Sequence, residues 1–247
     1  MEAKLKESIL RRVADYPGHT SIYYQDLTTG EHWGYNELEP MGAASVIKLT
    51  VMAELFRQLE AGLVRRDQKI TVRDEDRVPI CGVLTLMHTG LEVTPVDLCW
   101  LMITISDNMA TNLLIDLLGL ENIQENNRRL GLEGVALNRK LFETRETFRG
   151  KRNTVSARGV ARLLEMLLAQ QCTNKMPLLL AEGETAHKTG EDEGITHDVG
   201  IVLAKNPFLV CFCNWKLEPG TEGRLNIQIG EITRALYDAN GGAPERT

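Results

Sequence analysis

The sequence predicts an α+β fold, with an antiparallel sheet flanked by terminal helices beside an all-helical lobe. Two observations lead there. Strand-like runs occur only towards the two ends of the chain, in S-I-Y-Y-Q-D-L and E-H-W-G-Y-N near the start and from residue 184 onward. Amphipathic helical periods fill the middle and also stand at each terminus, so the ends must share one sheet. The expected division is an α/β lobe from 1–44 and 175–247 and a helical lobe from 45–174, with the active site between the lobes.

In chain order, Leu5, Ile9, Leu10 and Val13 give the first helix its apolar stripe. T-T-G between the next two β-rich runs reads as a hairpin turn. Val46, Ile47, Leu49, Met52, Leu55, Phe56 and Leu59 mark a helix over 45–61 that stops at Gly62. Thr94, Pro95 and Asp97 form a helix start with a capping box. That helix runs toward Ile105, where Ser106, Asp107 and Asn108 favour local side-chain to backbone bonding and break it before M-A-T-N-L-L-I-D-L-L-G resumes. Further helices are expected over 120–131 and 156–170, separated by a structured surface loop without a clean period. Three strand-like runs follow, E-T-A-H-K-T-G-E, D-V-G-I-V-L-A and F-L-V-C-F-C-N-W, before a last helix striped by Leu225, Ile229, Ile232 and Leu236.

The 247 residues are 43% hydrophobic and 25% charged, with a formal net charge of -6 and no basic stripe, which argues against a nucleic-acid partner. The N-terminus lacks the apolar core of a signal peptide, and no window is apolar enough to span a membrane. The chain as written is expected in the cytoplasm, or exported if a leader has been removed. Five cysteines, Cys81, Cys99, Cys172, Cys211 and Cys213, lack framework spacing and read as reduced thiols. Cys211 and Cys213 fall on one strand face without further ligands to complete a tetrahedral set, so they read as small core residues, and neither metal nor cofactor is expected.

Taken alone, Ser45 is a helix cap and Lys48 a surface cation. Two downstream motifs change that. S-V-I-K at 45–48, S-D-N at 106–108 and K-T-G at 188–190 stand in the order S-x-x-K, S-D-N, K-T-G. This triple, with M-G-A-A-S-V-I-K, I-T-I-S-D-N-M-A-T-N-L-L and T-H-D-V-G-I-V around it, resembles the class A β-lactamase and penicillin-binding serine hydrolases over nearly the whole chain. The resemblance implies a β-lactamase/transpeptidase-like fold. It also implies a Ser45 nucleophile, with Lys48 as its base and Ser106 passing a proton to the leaving nitrogen. Asn108, Lys188, Thr189 and Gly190 would bind substrate, and the backbone N–H groups of Ser45 and Glu191 would form the oxyanion hole. Asp107 is expected to turn inward as a cap. The family's mechanism requires no histidine, so His187 and His197 read as supporting or surface groups. Cys99 stands where some relatives have half of a disulfide; the partner position is Met52, which implies a reduced protein.

One departure stands out. Efficient relatives carry a water-activating glutamate in a setting like R-x-E-P-x-L-N, whereas aligning L-N-R-K-L-F-E-T-R-E on Arg139 puts Leu141 at that place. Glu143, the candidate deacylation base, and Glu146 lie nearby without the expected neighbours. The readings that follow are a β-lactamase-like hydrolase, a D-alanyl-D-alanine peptidase or esterase, and a non-catalytic covalent sensor, each taking a small β-lactam or peptide-like molecule.

Overall fold

The computed structural model describes residues 3–14, 18–79, 81–143, 150–171 and 185–242; Glu146 and Cys172 lie outside them. The described residues form two compact units. One comprises those within Met1–Val46, Leu132–Val135 and Val155–Thr247, and the other those within Ile47–Gly131 and Ala136–Thr154.

The first unit is built on a five-stranded antiparallel sheet. Its strands are β1 (His19–Asp26), β2 (His32–Tyr35), β7 (Thr185–Asp192), β8 (Ile195–Val202) and β9 (Phe208–Trp215), in the order β2-β1-β9-β8-β7. Four two-residue strands lie between them in sequence: β3 (Met41–Gly42), β4 (Ile70–Thr71), β5 (Glu92–Val93) and β6 (Thr154–Val155). The pairing of β1 with β9, Ile22 opposite Phe212 and Tyr24 opposite Val210, joins the two ends of the chain as the patterning requires. Ile22, Tyr24, Phe208, Val210 and Phe212 turn one sheet face onto helices α1 (Ala3–Ala14) and α7 (Glu222–Ala239). Those helices answer with Ile9, Val13, Leu225, Ile229, Ile232 and Leu236, the apolar stripes read from the sequence. Cys211 and Cys213 share the opposite face of β9 and are fully buried; burial alone pushes the Cys213 thiol up to about 12.

Helix α6 (Ala157–Gln171) packs against β9, β1 and β8 and so belongs to the sheet-bearing unit, although its position in the chain assigned it to the helical lobe. The reason is its apolar stripe: Val160, Leu163, Leu164 and Leu167 are buried, each worth about 1.5–3 kcal/mol. Burial of that face, rather than place in the chain, decides which unit the helix joins.

The second unit packs α2 (Lys48–Glu60) against α3 (Pro95–Thr104), α4 (Asn108–Leu118) and α5 (Leu120–Arg129). Thr94 accepts from the Asp97 N–H and Asp97 from the Thr94 N–H, which closes the expected capping box. The fully buried Glu54 carboxylate is held by Arg57 and Gln58, and Gln58 also caps the Leu118 carbonyl at the end of α4. A charge taken out of water needs such partners, because unpaired it would cost several kcal/mol. Among the described residues, no helix is long and apolar enough to cross a membrane.

Candidate active site

The expected helix over 45–61 begins later than its sequence pattern. Ala44–Ile47 form a 3₁₀ turn and α2 starts at Lys48 with Ile47 as its N-cap, which makes no side-chain cap bond. Ser45 is therefore not the cap of α2. Ala44 before it has φ +41, a left-handed conformation that costs a non-glycine residue about 1–2 kcal/mol and sets the direction in which the chain enters the turn.

Lys48 is fully buried. Its Nζ donates to three oxygens at 2.8 Å each: the Ser106 carbonyl, Ser106 Oγ and Asn108 Oδ1. These acceptors come from the break between α3 and α4, which falls where the sequence places it. Ser106, at φ +57, takes the left-handed position that ends α3, a place commonly filled by glycine. Asp107 then caps α4, one carboxylate oxygen accepting from the Ala110 N–H at 3.0 Å and the other from the Leu84 N–H at 2.8 Å. Gly82 must lie here, since a Cβ on it would come within 2.2 Å of the Asp107 carboxyl carbon. The Asn108 N–H reaches the Cys81 carbonyl at 3.2 Å. A buried, fully bonded aspartate thus fixes the backbone whose two flanking side chains meet the lysine.

In the sheet-bearing unit, alternation along β7 sets Lys188 and Gly190 on one face and His187, Thr189 and Glu191 on the other. Lys188 is buried and donates to the Thr189 carbonyl at 2.7 Å. Gly190 lies against the Ser45 segment: a Cβ there would sit 3.3 Å from Ser45 N, 3.1 Å from Val46 N and 2.9 Å from Val46 Cγ2. Only glycine lets β7 approach the Ser45 backbone so closely. His197, expected as a supporting or surface residue, is fully buried, its Nε2 2.7 Å from the Gly42 carbonyl and its Nδ1 accepting from the Asn214 N–H. Those two bonds require the neutral Nε2–H tautomer, and burial pushes its pKa below the ordinary value of 6.5. Through it the sheet holds the strand that leads to Ser45.

The stretch around Leu141 is tied by asparagines. Asn112 Oδ1 accepts from the Leu141 N–H at 2.9 Å and its Nδ2 donates to the Leu141 carbonyl at 3.1 Å. Asn153 does the same for neighbouring backbone, accepting from Asn138 and Arg139 and donating to the Arg139 carbonyl. Glu143 accepts from the Lys140 N–H at 3.1 Å, a bond that closes a local turn. Sequence reading missed Asn112. Its signal was present: a second asparagine one turn after Asn108 on the same helix face.

The sequence profile of the Beta-lactamase enzyme family matches residues 4–240. The chain belongs to that family. Among its relatives, the β-lactamase CARB-4 of Pseudomonas aeruginosa is 29% identical over 157 residues, covering 63% of this chain and 54% of that protein. The chain spans about half the length of the curated relatives it matches. Among solved structures, a β-lactamase from Sphaerobacter thermophilus DSM 20745 superposes with a TM-score of 0.84 at 28% identity and covers 98% of both chains. PBP-A superposes with a TM-score of 0.81 at 25% identity over 96% of both. These matches make the β-lactamase/transpeptidase-like α+β fold a finding.

Proposed function

We propose that this chain is a serine hydrolase that opens the cyclic amide of a β-lactam through an acyl-enzyme on Ser45. The observation that carries the reading is the buried Lys48 amine, bonded to a carbonyl, a hydroxyl and an amide oxygen, one turn after a serine. With Lys48 neutral, its two N–H groups serve the Ser106 carbonyl and Asn108 Oδ1, and the Ser106 hydroxyl turns to donate to Nζ. As a neutral amine, Lys48 takes the Ser45 proton while Oγ bonds to the lactam carbonyl carbon. The Ser45 and Glu191 N–H groups receive the oxyanion. The ring C–N bond then breaks, the nitrogen takes a proton from the Ser106 hydroxyl, and Lys48 returns one to Ser106. Water cleaves the resulting ester, releasing the acid and restoring Ser45. Asn108, Lys188, Thr189 and Gly190 bind the substrate's amide and carboxylate.

Leu141 favours a second reading of the same site, a penicillin-binding peptidase or sensor whose adduct is long-lived. At the place of the water-activating glutamate the chain presents a hydrocarbon, and Glu143 is engaged with the Lys140 backbone. A leucine-to-glutamate variant of PBP-A is known as an acyl-enzyme complex with penicillin G. The test is incubation with a chromogenic cephalosporin while intact mass is followed. A mass increase of one acyl group, or colour change, that is lost in Ser45→Ala supports the covalent mechanism; the same increase or colour change in Ser45→Ala, or neither in the wild-type chain, overturns it.

A further inference from the structure

His187 stands one residue before the K-T-G segment and shares its face of β7 with Thr189 and Glu191. Directly opposite it is Gly200, where a Cβ would come within 2.7 Å of His187 Cβ and 2.8 Å of its Cα. With no side chain across the ladder, the imidazole reaches the diagonal position, and its Nδ1 donates to Asp198 Oδ1 at 2.7 Å. Asp198 is itself directly opposite Thr189. Opposed residues of an antiparallel pair share a face with Cβ atoms about 4.5–5.5 Å apart, so a carboxylate lies beside the threonine assigned above to the substrate's carboxylate. Its side chain is 32% exposed, and solvent screens that charge only in part.

We propose that His187 is a specificity-determining residue of the Ser45 site: protonated, it cancels the Asp198 charge beside Thr189, and neutral, it leaves that charge to repel an anionic substrate. The inference rests on the reading in which Lys188 and Thr189 receive the substrate's carboxylate. Among the described residues, the other charged or titratable groups around the pair are Lys188 and Glu191 on β7, His197 on β8, and Arg234 and Tyr237 on α7, with Arg234 paired to Asp238; β9 contributes only Val210 and Phe212. Of these side-chain types only histidine ordinarily changes charge between pH 5 and 8, and His197 is held neutral by burial. The hydrogen bond to Asp198 raises the His187 pKa above its ordinary 6.5, so the charge is masked below that range and exposed as pH rises through it.

The test is binding of benzylpenicillin and of its uncharged methyl ester to the full-length Ser45→Ala chain, at about pH 5.5 and about pH 8.5, either side of the histidine titration. The acid is expected to bind about fivefold more weakly at the higher pH, the size of one partly screened charge, and the ester equally at both. His187→Gln should bind the acid at the weaker value at both pH values, and Asp198→Asn at the tighter value at both, with unchanged circular dichroism. A lost structural support would weaken acid and ester alike. An equal pH response of acid and ester, a response that persists in folded His187→Gln, or no saturable binding of the acid overturns the proposal. Binding here needs no Ser45 hydroxyl, so the expected pattern in a chain that forms no Ser45 adduct would sink the covalent mechanism and leave this inference standing.

Discussion

The α3–α4 junction and the Arg139–Glu143 segment both belong to the helical unit, and both are irregular backbone held by a buried Asx side chain. At the junction, Asp107 fixes the Leu84 and Ala110 N–H groups, and the residues on either side of it deliver a carbonyl, a hydroxyl and an amide oxygen to Lys48. In the other segment, Asn112 fixes both backbone groups of Leu141, and the side chain so positioned is a hydrocarbon. The scaffolding is equally thorough in the two places, but the side chains it aims are polar at the junction and apolar at Leu141. Under the proposed mechanism, the difference separates an acylation half furnished with polar groups from a segment that, among the described residues, sets a hydrocarbon at Leu141.

The largest effect is expected from the furnished half. Lys48→Ala removes the base and should slow formation of the Ser45 adduct by about a thousandfold, within the range for a positioned general base, as read by stopped-flow absorbance of a chromogenic cephalosporin. Next comes the unfurnished half. Leu141→Glu should speed loss of the adduct by about 10- to 100-fold with little change in its formation, measured by intact mass after removal of free β-lactam. An unchanged lifetime would mean that the two segments do not differ as described.

Scaffold and chemistry separate in a third variant. Asp107→Ala removes a helix cap and leaves the buried Leu84 N–H unpaired, so denaturant unfolding should show a loss of about 2–4 kcal/mol. A smaller effect concerns the sheet-bearing unit. His197 has its pKa lowered by burial, so the unfolded chain binds more protons below about 6.5 and stability should fall as pH drops through that range. His197→Gln should flatten the dependence, while His187, whose pKa is raised by Asp198, contributes in the opposite sense, its stabilisation fading as pH rises. The smallest effect is expected from Glu143→Gln, less than about threefold on adduct lifetime, because its carboxylate serves the Lys140 turn.

Much of this was legible in the sequence, for reasons that differ by residue. Capping chemistry is local, so Thr94, Asp97 and Asp107 could be assigned from their neighbours alone. The stripe Leu225, Ile229, Ile232 and Leu236 has one period and one plausible partner, a sheet. What could not be read depends on distant packing. Periodicity places α6 as a helix but cannot say that β9 and β1 will receive it. The start of α2 at Lys48 follows from a left-handed Ala44, which no helix propensity reveals. His197 looked peripheral because its partners, Gly42 and Asn214, are remote in the chain. Asn112 went unread because nothing local says that it will hold a loop some thirty residues on.

The slow release that the peptidase or sensor reading draws from Leu141 is tested most directly by a quenched time course of intact mass for the wild-type chain and Leu141→Glu, each mixed with one equivalent of the same cephalosporin. The expected result is near-stoichiometric Ser45 adduct in both at early times, persisting in the wild type and vanishing in the variant. Rapid return of the wild-type chain to its unmodified mass, at the rate of the variant, would contradict it.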